Sequence, residues 1–160
     1  MDALNAARRR GLTLHIGVAN FPVRLIREAV ALSDAPLVAN QCEYHPYLEQ
    51  SRVLAACRQH GLAFMAYSPL RQARSSSPLA DATIMRIARN KGVTPAQIVL
   101  RWHFQQKSVI SLPRSSSEQR IGQNIAIAGF HLTQAEISEI AALSRLDGRK
   151  VNPAHAPDWD

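Results

Sequence analysis

At 160 residues, with 46% hydrophobic, 19% charged and 6% aromatic side chains, the chain has the length and composition of one globular α/β domain that can bury a core. No apolar run approaches the ~18 residues of a membrane span, and the polar start MDALNAARRRG has no apolar core after its arginines, so the chain reads as cytoplasmic. The net charge of +7 comes from scattered Lys and Arg, densest at RRR over 8–10 and without interleaved aromatics, which disfavours nucleic acid and favours a basic surface with a phosphate-bearing ligand.

Short apolar runs alternate with amphipathic stretches from the start of the chain. A strand is expected over 12–18, and Pro22 opens a helix whose apolar face is Leu25, Ile26, Ala29 and Val30. A second strand over 37–41 leads through a loop to Tyr47. A helix over 49–60 turns Val53, Leu54 and Cys57 inward and stops at Gly61. The third strand, 62–67, is apolar enough to be covered on both faces. The polar stretch 69–78, with RQARSSS, reads as a mobile loop. Helices follow over 79–91 and 94–106, the second opened by Thr94 as cap and Pro95 in the first turn, with Trp102 on its apolar face as a core residue. The fourth strand, 109–112, is expected to be buried beside the third. A helix from about 117 to 126 comes next, then one over 133–143 opened by a capping box of Thr133 and Glu136. The tail, 147–160, carries Pro153 and Pro157 and reads as irregular.

Cys42 and Cys57 have no metal or redox spacing and sit in apolar segments, so they read as buried reduced thiols. Four βα units in this order fit a doubly wound sheet or half of a closed barrel, and the absence of a Gly-rich dinucleotide loop disfavours the first. The strand ending at Pro113 and the helix starting near Ser117 form a candidate anion site. First-turn amides near Ser117 and Glu118, the Ser115 and Ser116 hydroxyls, and the guanidinium groups of Arg114 and Arg120 could all face a phosphate. Arg120, Gln123 and Asn124 share one helix face by their spacing. The bland alternative is a capped surface helix with solvated arginines.

Five segments then carry a resemblance: IGVANF (16–21), ANQCEYHPYL (39–48), AYSPL (66–70), TPAQIVLRW (94–102) and SLPRSSSEQRIGQN (111–124). In this order and spacing the chain resembles the aldo-keto reductases over essentially its whole length. The tail APDWD and the short loop after AYSPL resemble bacterial members of the 2,5-diketogluconate and methylglyoxal type. The resemblance implies an NADPH-dependent reductase of small aldehydes and ketones on a (β/α)8 barrel, with no metal, no nucleic acid and no membrane. Residues 1–10 resemble the helix before the fifth strand. The chain as a whole then resembles the C-terminal half of the barrel, strands five to eight, as a single partial domain over 1–160. The family's catalytic Asp, Tyr, Lys and His belong to the other half, so no residue here inherits a catalytic role.

For the cofactor the resemblance implies that Asn20 and Gln41 bond the nicotinamide carboxamide and that Tyr67 stacks on the ring. Ser68 and Leu70 lie along the pyrophosphate. Arg114, Ser115, Ser116 and Arg120 hold the 2′-phosphate, and Gln123 and Asn124 join Arg120 at adenine. The chain departs from common family choices at Ala19 (often Ser), Arg71 (often Gly), Arg114 (often Lys) and Gln123 (often Glu), which bears on affinity more than on the class of cofactor. Tyr44, His45 and Tyr47 read as structural parts of the loop after the second strand, and Trp159 reads either as a residue leaning over a substrate mouth or as part of a disordered tail. Alone, the chain is expected to be inactive, and to pair with a complementary half-barrel or to self-associate through open sheet edges. The rival reading is a truncated, non-catalytic reductase-like binding module.

Overall fold

A computed structural model describes residues 1–70 and 77–160. The helix α1, Asp2–Arg9, precedes β1, Ile16–Ala19. Then come α2 (Val23–Leu32), β2 (Leu37–Glu43), α3 (Ser51–Gln59) and β3 (Ala63–Tyr67). A short 3-10 turn at Pro78–Ala80 leads into α4 (Ala82–Lys91), α5 (Pro95–Phe104) and β4 (Val109–Leu112), and α6 (Glu118–Ile125) and α7 (Gln134–Ala141) complete the order. This is an α/β fold with four parallel strands, hydrogen-bonded in chain order β1-β2-β3-β4. β1 and β2 pair in parallel, Ile16 opposite Leu37 and Ala19 opposite Gln41, with an irregularity between Ile16 and Val18. Gly17 sits at that irregularity, where a Cβ would stand 2.9 Å from the Ala39 carbonyl oxygen, so the close strand approach requires glycine.

The chain divides into two compact units, one of Met1–Cys42, Gln50–Met65 and Val151–Asp160, the other of Glu43–Glu49 and Ala66–Lys150. The first has its core where Ile26 and Ala29 of α2 and Val53, Leu54 and Cys57 of α3 are buried, along with Leu37, Leu62 and Phe64. The second buries Ile84 and Ile87 of α4, Ile98, Val99, Leu100 and Trp102 of α5, and Ile140 of α7. The caps expected there are made. Thr94 accepts from the Gln97 amide while Gln97 Oε1 accepts from the Thr94 amide, and Thr133 and Glu136 do the same for α7. Cys42 and Cys57 are buried free thiols.

Several boundaries differ from the sequence expectation. β1 starts at Ile16 rather than 12, because Gly11 is left-handed and the Thr13 hydroxyl donates to the His15 carbonyl, turning the chain first. Leu12 and Leu14 are therefore 66% and 81% exposed. β2 runs on to Glu43. Asp81 splits the stretch 79–91, capping α4 through the Thr83 amide at 2.9 Å. β3 buries Phe64 and Ala66 but leaves Ala63, Met65 and Tyr67 half-buried, so one face is covered rather than both. β4 adjoins β3 as expected, but it is the last strand in the order and is not buried, with Ile110 49% exposed. The loop expected over 69–78 falls largely on residues 71–76, Arg71 among them, outside the described residues.

Candidate functional site

In the first unit the candidate residues lie at the ends of β1 and β2. Asn20 follows β1 directly in left-handed backbone (φ 58°), which a short polar side chain tolerates better than most, and its amide donates to the Gln41 carbonyl at 2.8 Å. Gln41 is half-buried. Asn40, fully buried beside it, holds the turn: its Nδ2 donates to the Phe21 carbonyl at 2.9 Å and its Oδ1 accepts from the Phe21 amide at 3.3 Å. This asparagine was not singled out from the sequence, although it lies next to Gln41 in the motif. Asn40 also bonds the Cys57 thiol, whose pKa burial nevertheless pushes up to about 11, so Cys57 is no nucleophile. Ala19 and Asn20 border a cleft of about 340 Å³ whose other wall is the irregular tail, including His155 and Trp159.

In the second unit Tyr67 ends β3 and is half-buried, its carbonyl accepting from the Tyr44 amide at 3.2 Å. Ser68 is again left-handed (φ 50°) and exposed. Leu70 is buried, and its carbonyl accepts from the Ser77 hydroxyl at 3.2 Å. Beyond β4, Ser115 organises the turn into α6. Its Oγ accepts from the Ser117 amide at 3.1 Å and from Arg120 Nε at 3.3 Å. The Ser117 amide is thus engaged within the chain, and Ser117 Oγ caps the Arg120 amide at 3.4 Å. Ser116 and Arg114 are exposed. Among the described residues neither Arg114 nor Arg120 pairs with a carboxylate. Gln123 and Asn124 are half-buried, and Asn124 borders a largely apolar cleft of about 320 Å³ with Leu100, Phe104 and Pro113.

The loop after β2, where Tyr44, His45 and Tyr47 are expected as structural residues, adjoins Glu43 at the end of the strand, which the sequence did not single out. Glu43 is fully buried, and both its carboxylate oxygens accept from the Lys150 amide at 3.0 Å while Oε1 also meets His45 Nε2 at 3.0 Å. The Tyr47 hydroxyl donates to Asp81 at 2.9 Å, and the Arg145 guanidinium lies 3.6 Å above the Tyr47 ring. The signal for Glu43 in the sequence is its place two residues past the expected strand 37–41, directly after Cys42. Tyr44 stacks on His103, whose Nδ1 meets Ser111 Oγ at 2.7 Å. Among the described residues no group of His, Cys, Asp and Glu could hold a metal ion.

The chain is thus a parallel α/β array whose candidate residues follow its strands. The aldo/keto reductase family model matches residues 1–145, and the chain belongs to the aldo/keto reductase family. It is 35% identical over 162 residues to methylglyoxal reductase DkgB of Escherichia coli O157:H7, covering 100% of this chain and 59% of that protein. A protein assigned as a 2,5-diketo-D-gluconic acid reductase B superposes with a TM-score of 0.94 at 41% identity, over 99% of this chain and 56% of that one. The Bombyx mori aldo-keto reductase AKR2E4, solved in complex with NADP, superposes with a TM-score of 0.82 at 32% identity, over 93% of this chain and 50% of that one. The chain spans about half the length of the curated relatives it matches, from 46% to 59%. Among the described residues no helix is long and apolar enough to cross a membrane.

Proposed function

We propose that this chain is the C-terminal half, strands five to eight, of the (β/α)8 barrel of a cytoplasmic NADPH-dependent reductase of small aldehydes and ketones. It supplies much of the cofactor site and none of the catalytic acid–base groups. The observation that carries the reading is the turn between β4 and α6. It presents the cationic side chains of Arg114 and Arg120 without any carboxylate partner among the described residues, and Ser115 holds Arg120 at Nε, which leaves its terminal N–H groups for a ligand. That donor set fits the 2′-phosphate that distinguishes NADP from NAD, and an NADP complex is among the structures the chain superposes on.

When bound, NADPH supplies a hydride to the carbonyl carbon. The chain's own residues bind and orient it. Asn20 and Gln41 would hold the carboxamide, Tyr67 would stack on the nicotinamide, and Ser68 and Leu70 would flank the pyrophosphate. Arg114, Ser115, Ser116 and Arg120 would hold the phosphate, and Gln123 and Asn124 the adenine. The proton for the nascent alkoxide comes from a complementary half-barrel, the partner this reading requires.

The test is a cofactor-fluorescence titration of the chain mixed with the N-terminal half of a homologous reductase, wild type and Arg120→Ala, with NADPH and NADH. A charge-assisted contact of about 1.5–3 kcal/mol, discounted for exposure, predicts roughly tenfold weaker NADPH and nearly unchanged NADH. Methylglyoxal turnover should appear in the mixture and not in the chain alone. Equal losses for both cofactors, or turnover by the chain alone, would overturn the reading.

A further inference from the structure

The tail Val151–Asp160 has no regular secondary structure, yet it returns to the first unit and forms one wall of the cleft beside Asn20. Two contacts lie near its end. α2 begins after Pro22, which cannot cap with its side chain, so the first-turn amides of the helix need acceptors from elsewhere. Asp160 provides one: its Oδ2 accepts from the Val23 amide at 2.6 Å. The carboxylate also sits at the positive end of α2, and its Oδ1 is 4.0 Å from Arg52. One residue earlier, Trp159 Nε1 donates to Asn152 Oδ1 at 2.8 Å, closing the tail into a loop.

From this arrangement we propose that Val151–Asp160 is a strap over the Asn20 cleft and that the Asp160 carboxylate, seated on the N-terminus of α2, is its latch. Between its two ends the strap is exposed from Val151 to His155, so it has no core of its own there and the latch bears on its closed position. Releasing Asp160 opens the cleft at the turn that carries Asn20. Closing it places Trp159 and Pro157 as the cleft wall. The latch needs no cofactor, so it stands or falls separately from the NADPH reading.

The chain carries a convenient reporter. Trp102 is 3% exposed, so a neutral quencher such as acrylamide reports on Trp159. Losing a helix-end acceptor shifts a closed-to-open ratio by about fivefold. Asp160→Ala should therefore raise the quenchable tryptophan signal and speed hydrogen exchange at the Val23 amide by about fivefold. Asp160→Asn, which keeps an acceptor without the charge, should fall between the two. High salt should loosen the wild-type strap and leave Asp160→Ala unaffected. Quenching and Val23 exchange that are the same in Asp160→Ala as in the wild type would overturn the latch, and so would salt loosening both proteins equally.

Discussion

His103 lies at the end of α5 with no exposed surface, its Nδ1 on Ser111 Oγ and its ring stacked on Tyr44, and among the described residues its Nε2 has no hydrogen-bond partner. Burial first, and then the nearby His45, push its pKa down to about 3, from an ordinary value of 6.5. The folded chain thus keeps this imidazole neutral over a range in which the unfolded chain binds a proton. Its contribution to stability is complete above about pH 6.5. It is lost as the pH falls toward 3, with a limiting slope of about 1.4 kcal/mol per pH unit. His103→Gln removes that titration. Thermal melts from pH 4 to 6.5 should show a shallower decline in the variant than in the wild type, and parallel declines would mean that other groups carry the acid sensitivity.

The helices are unequal in what supports them. α5 combines a complete capping box with seven buried residues, Gln97 through His103. α6 has a single cap from Ser117 and no buried residue at all. Thr94→Ala should cost about 1 kcal/mol, read as a shifted urea midpoint with an unchanged slope. Amide exchange in α6 should be far faster than in α5, and protection of both to the same degree would show hidden packing of α6. This contrast also explains what was legible in the sequence. Thr94-Pro95, Thr133 with Glu136, and the apolar run 109–112 are signals confined to a few neighbouring residues, and those boundaries matched. The start of β1 and the break at Asp81 depend on side chains competing for backbone groups, which periodicity does not report. At the candidate site, Asn20, Gln41 and Arg120 are proposed from the resemblance because the motifs that carry them are local. Asn40 and Glu43 could not be picked out, since each acts through a partner distant in the chain, Phe21 or Lys150.

The second unit leaves large apolar side chains exposed to water: Phe104 at 61%, Ile110 at 49%, Ile121 at 45% and Ile125 at 74% exposure. Two of these lie on α6, whose apolar and polar residues are well segregated although none is buried. We expect such a face to favour association. The double variant Ile121→Lys, Ile125→Lys should lower the concentration-dependent mass seen by sedimentation while leaving the far-ultraviolet dichroism intact. Unchanged association would move the sticky surface elsewhere.

Glu43 and Lys150 are 107 positions apart in the chain. His45, two residues on, is at hand from the start, whereas the Lys150 amide that meets both carboxylate oxygens is made only after α3 through α7. The hydrogen bonds that hold Glu43 out of water are therefore completed only by a contact of long sequence separation, which carries a larger loop-closure cost than the local packing of α4 on α5.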